Sequence, residues 1–202
     1  MLLVNSHDAP RTRLAGAERR EGILAAAATV LADRPYADMS VAQVAEAAGV
    51  SEALVFKHFS SKPELYAAAL RRTAAEVAAR RDEADRAGEH AGARDRVRSA
   101  LIVLLDALAA HGGSTPFSPH PDDPPPVADA RSEARAEWLS WLRGVLRPGD
   151  DARDAYALLG FLGFLDAACA AWRADGCPDH DRWPLIDAAL GALEGGLGDW
   201  RR

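Results

Sequence analysis

The chain has 202 residues, of which 49% are hydrophobic and 27% are charged, and its formal net charge is -6. This length and this balance predict a soluble globular protein with one domain, or with a small domain fused to a larger one. We find neither a secretion signal at the start of the chain nor an apolar run near the roughly 18 to 20 residues that a membrane helix needs, so we expect a cytoplasmic protein with no membrane partner.

The first residues predict an arm followed by a helix. Residues 1–16 have no periodicity and carry Arg11 and Arg13, which would enter a DNA minor groove or stay in solvent. The helix should then run to Pro35, because apolar residues recur on one of its faces at helical spacing. These residues are Ile23, Ala27, Val30 and Leu31.

Two short helices around a glycine come next. Ser40 is placed to cap the first of them, and Gly49 ends it because glycine accepts a left-handed backbone. Ser51 is placed to cap the second, in which Val55 and Phe59 point inward and the other side chains are more exposed. Together with the preceding helix this pattern predicts a helix-turn-helix, although a generic helical hairpin has the same spacing.

The stretch from Arg19 to about Leu70 resembles the N-terminal DNA-binding region of the TetR-type bacterial transcriptional repressors. The resemblance implies an all-α homodimer: a three-helix domain binds double-stranded operator DNA, and a C-terminal helical domain dimerises and holds a small-molecule effector that releases the DNA. We therefore divide the chain into the arm, a DNA-binding domain at 17–62 and a regulatory and dimerisation domain at 63–202.

The resemblance and the exposed side of the third helix together nominate the DNA-binding residues. They are Arg19, Ser40, Ser51, Glu52, Ala53, Leu54, Phe56, Lys57, His58 and Lys62. Two of them depart from what DNA contact favours: Phe56 lacks the hydroxyl of the usual tyrosine, and Glu52 would repel phosphate unless it accepts a hydrogen bond from a cytosine amino group. Lys57 and Lys62 are the only lysines in the chain, and their place around the third helix suits phosphate contact.

A long helix capped by Ser61, with Pro63 in its first turn, should leave the DNA-binding domain and serve as the lever between effector and DNA. The next helix has an apolar stripe, and the Pro- and Gly-rich stretch from Gly112 to Pro126 should be an irregular connector or a pocket lid. The stripe consists of Leu101, Leu104, Leu105 and Leu108.

The last two helices predict a four-helix dimer seam, with packing inside one monomer as the alternative. The first of them has a bulky face and an opposite face of small residues, which comprises Gly160, Gly163, Ala167, Ala171 and Ala174. The second has apolar residues at bundle spacing, namely Ile186, Ala189, Leu190, Leu193 and Leu197, with glycines nearby.

The bulky face and its neighbours predict either an apolar effector pocket or a filled core. The candidate lining residues are Leu105, Phe117, Trp138, Trp141, Leu142, Phe161, Leu165 and Trp172. Asp166 and Arg173 lie two turns apart on one edge of the same helix, where they would pair with each other. We expect the effector to be apolar or aromatic.

The sequence offers no pattern typical of an enzyme. Its histidines are dispersed, it has no phosphate-binding glycine loop or nucleophile elbow, and Cys169 and Cys177 are expected to be reduced thiols. We therefore predict no catalytic residue, no metal site and no cofactor. The alternative to a DNA-binding regulator is a helical protein-interaction module without specific DNA binding.

Overall fold

A computed structural model describes residues 9–32, 36–90, 92–111, 115–149 and 151–198. Within these ranges the chain forms eight α-helices and no strand, so the all-α prediction is confirmed. The helices are α1 (Ala9–Ala32), α2 (Val41–Ala47), α3 (Glu52–His58), α4 (Lys62–Ala87), α5 (Ala93–His111), α6 (Pro125–Leu146), α7 (Ala152–Ala174) and α8 (Asp179–Leu197). A short 3-10 helix at Tyr36–Asp38 precedes α2.

Helix α1 begins earlier than the sequence predicts. Its helical backbone starts at Ala9, so the second half of the predicted arm, including the backbone of Arg11 and Arg13, belongs to the helix. Proline is tolerated in the first turn of a helix because its missing N–H has no partner there, and Pro10 occupies that turn. Residues 1–8 and the predicted stop at Pro35 lie outside the described residues.

A first hydrophobic core joins α1, α2, α3 and the start of α4. It contains the predicted inward residues Ile23, Ala27, Val55 and Phe59, all of which are buried. It also reaches beyond the predicted boundary at residue 62, because it includes Leu65, Tyr66, Ala67 and Ala69 of α4 together with Val127 and Ala130 of α6. The first turns of α6 therefore pack into the core of the helix-turn-helix region.

A second core fills the space between the remaining part of α4 and helices α5 to α8. The predicted stripe of α5 and the bulky face of α7 are both buried in it. The predicted connector is shorter than expected, because α6 already begins at Pro125, where two prolines fit the first turn. In the described part of the connector, Thr115, Pro116 and Phe117 are buried.

Helix α6 runs beside α4 and is joined to it by three arginine contacts at different levels. In order from the helix-turn-helix end, they are Tyr66 with Arg131, Arg71 with Glu133, and Arg81 with Glu137. Contacts of this kind hold the two helices in one register. Helices α4 and α6 therefore form a common framework, and each contributes residues to both cores.

Helices α7 and α8 pack against each other, and each has a side turned to solvent. The predicted apolar residues of α8 from Ile186 to Leu193 are buried in the chain's own core, so they are not available for a seam with a second chain. In contrast, Gly160, Gly163 and the small alanines that follow them on α7 are exposed. Gly196 serves the close packing within the chain, because a Cβ there would lie 3.0 Å from the Cβ of Ala157.

The expectation that no apolar run approaches membrane length is wrong for α7. Its 23 residues include an 18-residue window with a mean hydropathy of 1.5, which is enough, by length and composition alone, to cross a membrane. A core helix of a soluble protein passes the same test. The bulky face of α7, from Leu158 to Trp172, lies in the second core.

Candidate functional site

The helix-turn-helix is held by two capped helix starts and one left-handed turn. The hydroxyl of Ser40 accepts the Gln43 N–H at 3.2 Å, and the Gln43 side chain accepts the Ser40 N–H at 2.9 Å, which completes a reciprocal cap on α2. Gly49 has a φ of 65°, the left-handed backbone that the turn requires. The hydroxyl of Ser51 then accepts the Leu54 N–H at 3.3 Å and starts α3. The predicted caps and turn of this motif are all present.

Helix α3, Glu52–His58, is the candidate recognition helix, and its two sides have different roles. Val55 and the following Phe59 are buried in the first core and fix the helix on its neighbours. Five predicted DNA-binding residues are on or beside the free side: Glu52, Ala53, Phe56 and Lys57 are exposed, with Phe56 at 48%, and Leu54 is half-buried. The helix thus presents a mixed apolar and charged surface to solvent.

The predicted phosphate-binding residues surround this exposed side but differ in their exposure to solvent. Arg19 and Ser51 are exposed, whereas Ser40, His58 and Lys62 are half-buried. The Lys62 ammonium lies 4.3 Å from the centre of the Tyr36 ring and donates a hydrogen bond of 3.4 Å to the Ala37 carbonyl. Lys62 therefore also holds the 3-10 helix against the start of α4, a role that its sequence position alone did not indicate.

A groove beside the candidate recognition helix involves a residue that the sequence reasoning missed. The groove has a volume of about 390 Å³ and lies between α1, the end of α3 and α4. The Arg20 guanidinium lines it and lies 4.9 Å from the centre of the Phe59 ring. The available sequence signal was the pair of adjacent arginines at 19 and 20.

Comparison with known proteins identifies this region. Residues 23–69 match the N-terminal domain of the bacterial regulatory proteins of the tetR family. The chain therefore contains an N-terminal domain of the tetR-family type at these residues. The transcriptional activator FasR of Mycolicibacterium smegmatis, described as HTH-type, is 47% identical over 60 residues, which are 30% of this chain and 27% of FasR. The chain thus matches about a quarter of the length of that relative.

Solved structures of transcriptional regulators share the fold of most of the chain. A TetR transcriptional regulator from Legionella pneumophila superposes with a TM-score of 0.72 at 17% identity, and the match covers 98% of this chain and 100% of that one. The regulator FadR from Bacillus subtilis, solved in complex with stearoyl-CoA, gives a TM-score of 0.69 at 19% identity over 87% of this chain and 98% of FadR. At these identities the likeness establishes the TetR fold.

The candidate effector residues of this TetR-type chain lie together in the second core. Seven of the eight are buried and Trp141 is half-buried against them. Aromatic rings form its centre: the Phe117 and Trp138 rings are 5.4 Å apart, and the Trp138 and Trp141 rings are 5.9 Å apart, both edge to face. The predicted set is therefore one contiguous apolar region, and its binding role stays a prediction.

Asp166 corrects the expected pairing on α7. Its carboxylate accepts a hydrogen bond from Arg135 of α6 at 2.9 Å and another from the Thr115 hydroxyl, rather than pairing with Arg173 of its own helix. The reason is that α6 places a guanidinium directly opposite, whereas Arg173 lies two turns along the helix. Burial raises the pKa of the Asp166 carboxyl in spite of these donors.

The sequence predicts two reduced thiols and no metal site. Among the described residues, no three histidine, cysteine or acidic side chains are grouped so that they could hold a metal ion. Cys169 is buried in the second core, and burial, with smaller effects of Asp166 and Cys177, raises the pKa of its thiol to about 12. A thiol in this environment is a weak nucleophile near neutral pH.

Proposed function

We propose that this TetR-type chain is a DNA-binding transcriptional regulator that works as a homodimer and responds to a small-molecule effector. The observation that carries the proposal is the candidate recognition helix, which is fixed by buried Val55 and Phe59 and exposes its opposite side. A helix held in this way can enter a major groove as a rigid element, with its first residues against base edges.

The residues divide into those that read bases and those that position the protein. Glu52, Ala53 and Leu54 lie at the front of α3, where side chains of a helix-turn-helix reach the bases. Arg19, Ser40, Ser51, Lys57, His58 and Lys62 surround that front with hydrogen-bond donors, which suit phosphate oxygens, and Phe56 adds an exposed ring for apolar contact. Phosphate contacts then provide most of the affinity and the front of α3 the sequence preference.

Two copies would join through the exposed sides of α7 and α8. The exposed stripe of α7 is made of glycine and alanine, and α8 adds Ala188, Gly191, Ala192 and Gly195 on its own exposed side. Small side chains let two helix pairs approach closely, and Leu159 and Trp183 are large apolar residues left exposed at this surface. The dimer would set the two recognition helices about 34 Å apart, the spacing of successive major grooves.

The effector would bind in the second core and act through α4. The apolar lining supports an apolar or aromatic molecule, and the stearoyl-CoA bound to the FadR relative, with its long acyl chain, is consistent with that class. Because α4 belongs to both cores, a shift at its far end would change the separation of the recognition helices and release the DNA. We favour a repressor that acts in the cytoplasm, while the relative FasR is described as an activator.

The proposal is tested by the salt dependence of DNA binding. The full chain is titrated by fluorescence anisotropy against a fragment selected from a random-sequence pool and against an unselected fragment of equal length, at several salt concentrations. Lys57→Ala is the informative variant because Lys57 is exposed, whereas Lys62 also holds Tyr36. Arg80→Ala is the control, since it removes the same charge from an exposed position on α4.

We expect Lys57→Ala to weaken binding to both fragments and to lower the slope of log affinity against log salt by about one, the effect of one phosphate contact. Arg80→Ala should leave the slope unchanged. Glu52→Ala should alter the selected sequence without changing the slope, because it acts on bases. Absence of salt-dependent binding to either fragment would refute the proposal in favour of a protein-interaction module.

A further inference from the structure

A small cavity with polar and apolar lining lies between the connector that precedes α6 and one face of α6 itself. It has a volume of about 100 Å³. Its polar lining comes from His120 and Asp123 of the connector and from Arg131, Ser132 and Arg135 of α6, and Phe117 closes its apolar side. Arg131 and Ser132 are four and three residues before Arg135, so each is a neighbour of Arg135 on the helix surface, and all three line the cavity.

Arg131 is committed to the framework of the fold. It donates to the Asp123 carboxylate at 2.6 Å, and both side chains are more than nine-tenths buried. It also hydrogen-bonds the hydroxyl of Tyr66, which is buried in the first core on α4. Arg131 therefore forms the rigid wall of the cavity and connects that wall to the DNA-binding region.

Arg135, which also lines the cavity, has hydrogen-bond donors that a ligand could use. A guanidinium has five N–H donors, and among the described residues Arg135 uses one, to Asp166 at 2.9 Å. Its side chain is 23% exposed and lines the cavity, one turn from the Ser132 hydroxyl. A planar guanidinium with a hydroxyl and an imidazole nearby is the donor set that a carboxylate prefers, because two parallel N–H groups can hold its two oxygens.

We propose that this cavity is the subsite for a carboxylate at the polar end of the effector, with Arg135 as the residue that recognises it. The inference rests on the proposed regulatory function and adds the chemical class of the ligand. Small-molecule pockets have roughly 300 to 1,000 Å³, so a cavity of this size takes a head group and not a whole ligand. Phe117 lines both the cavity and the second core, so the apolar part of the molecule would extend past it toward Trp138.

Binding at this subsite also has a route to the DNA-binding region. A ligand carboxylate competes with Asp166 for Arg135, and the raised pKa of Asp166 favours uptake of a proton by that carboxyl once its partner turns to the ligand. Arg131 lies one turn away on the same helix and contacts Tyr66. A small rotation of α6 at Arg135 is therefore passed to α4 through a hydrogen bond that is already formed.

The subsite is tested with matched probes and variants by titration calorimetry on the full chain without DNA. The probes are octanoate with octanamide and naphthoate with naphthamide, since each pair differs only in the charge and donors of the head group. The variants are Arg135→Gln, which removes the guanidinium, and Asp166→Asn, which removes the competing charge. Arg143→Gln, an exposed arginine two turns further along α6, is the control.

We expect the wild-type chain to bind at least one acid about tenfold more tightly than its amide, the magnitude of a charge-assisted hydrogen bond. Arg135→Gln should abolish that preference, Asp166→Asn should strengthen it, and Arg143→Gln should leave it unchanged. If the pairing of Arg135 with Asp166 is purely structural, both variants should destabilise the fold without changing the preference for the acid, and that result overturns the subsite. Equal binding of acid and amide, or binding of neither, also overturns it. Salt-dependent DNA binding in the same preparation reports separately on the regulatory function.

Discussion

The two arginine–glutamate pairs that join α4 to α6 differ in burial, and this difference predicts unequal costs of removing them. The Arg81 side chain is 2% exposed and donates to Glu137 at 2.6 and 3.0 Å and to Asp82 at 2.9 and 3.1 Å. Its guanidinium also lies 5.2 Å from the ring centre of Trp138 and 4.7 Å from that of Trp141. Replacing it by methionine keeps the aliphatic stem and removes every one of these polar contacts.

The expected loss of unfolding free energy depends on the charged groups that remain after the substitution. Breaking a fully buried ion pair costs roughly 3 to 5 kcal/mol because an unpaired charge stays in the core. Here the remaining carboxylates of Glu137 and Asp82 are 44% and 53% exposed and can be hydrated, so we expect Arg81→Met to lower the free energy of unfolding by about 2 kcal/mol. The Arg71–Glu133 pair has equally short hydrogen bonds, 2.7 and 2.9 Å, but both of its side chains are exposed. Arg71→Met should therefore cost about 0 to 1 kcal/mol.

Urea unfolding followed by circular dichroism measures both costs, and all variants are compared at one protein concentration because the proposed dimer would add to the apparent stability. Tryptophan fluorescence gives a local readout, since Arg81 contacts two indole rings and Arg71 contacts none among the described residues. The reasoning from burial is refuted if Arg71→Met destabilises the chain as much as Arg81→Met does, or if Arg81→Met costs less than about 0.5 kcal/mol.

Two further predictions concern the exposed side of α7 and the buried thiol. Gly163→Leu should shift the chain from dimer to monomer in analytical ultracentrifugation because it fills the small-residue stripe, whereas Gly144→Leu, exposed on α6, should not; a dimeric Gly163→Leu protein would contradict the α7 seam. A thiol reagent at neutral pH should modify half-buried Cys177 well before Cys169. The Cys169 thiol has a pKa near 9 in the unfolded chain and about 12 in the folded one, so the free energy of unfolding should fall as the pH rises from 9 to 12. Cys169→Ala should reduce that loss.

The elements that the sequence predicted well depend on neighbours along the chain. The caps at Ser40 and Ser51 and the turn at Gly49 each involve a hydrogen bond or a backbone angle within three residues, so the residue type is sufficient evidence. The buried stripes of α5 and α7 follow in the same way from helical spacing. These local rules are what made the helix-turn-helix recognisable before any contact was known.

The predictions that failed concern contacts between residues distant in sequence, or prolines that the structure accommodates within helices. Pro10 was assigned to an arm and Pro125 to an irregular connector, although proline in the first turn is compatible with a helix. Asp166 was assigned a partner on its own helix, because nothing in the sequence shows that Arg135 lies opposite. The burial of Arg81 between tryptophans was missed for the same reason, since its run of charges on α4 resembles a solvated face.

The packing of Val127 and Ala130 against the helix-turn-helix sets a rule for building chimeric regulators from this chain. An engineer who transplanted the helix-turn-helix region by cutting after α4 would remove two buried side chains of its core and would leave the rest of that core less covered. Buried apolar surface of this kind costs about 25 cal/mol for each Å² returned to water. A graft that keeps its recognition helix in shape must carry the first two turns of α6 along with it, or replace them with a partner that covers the same patch.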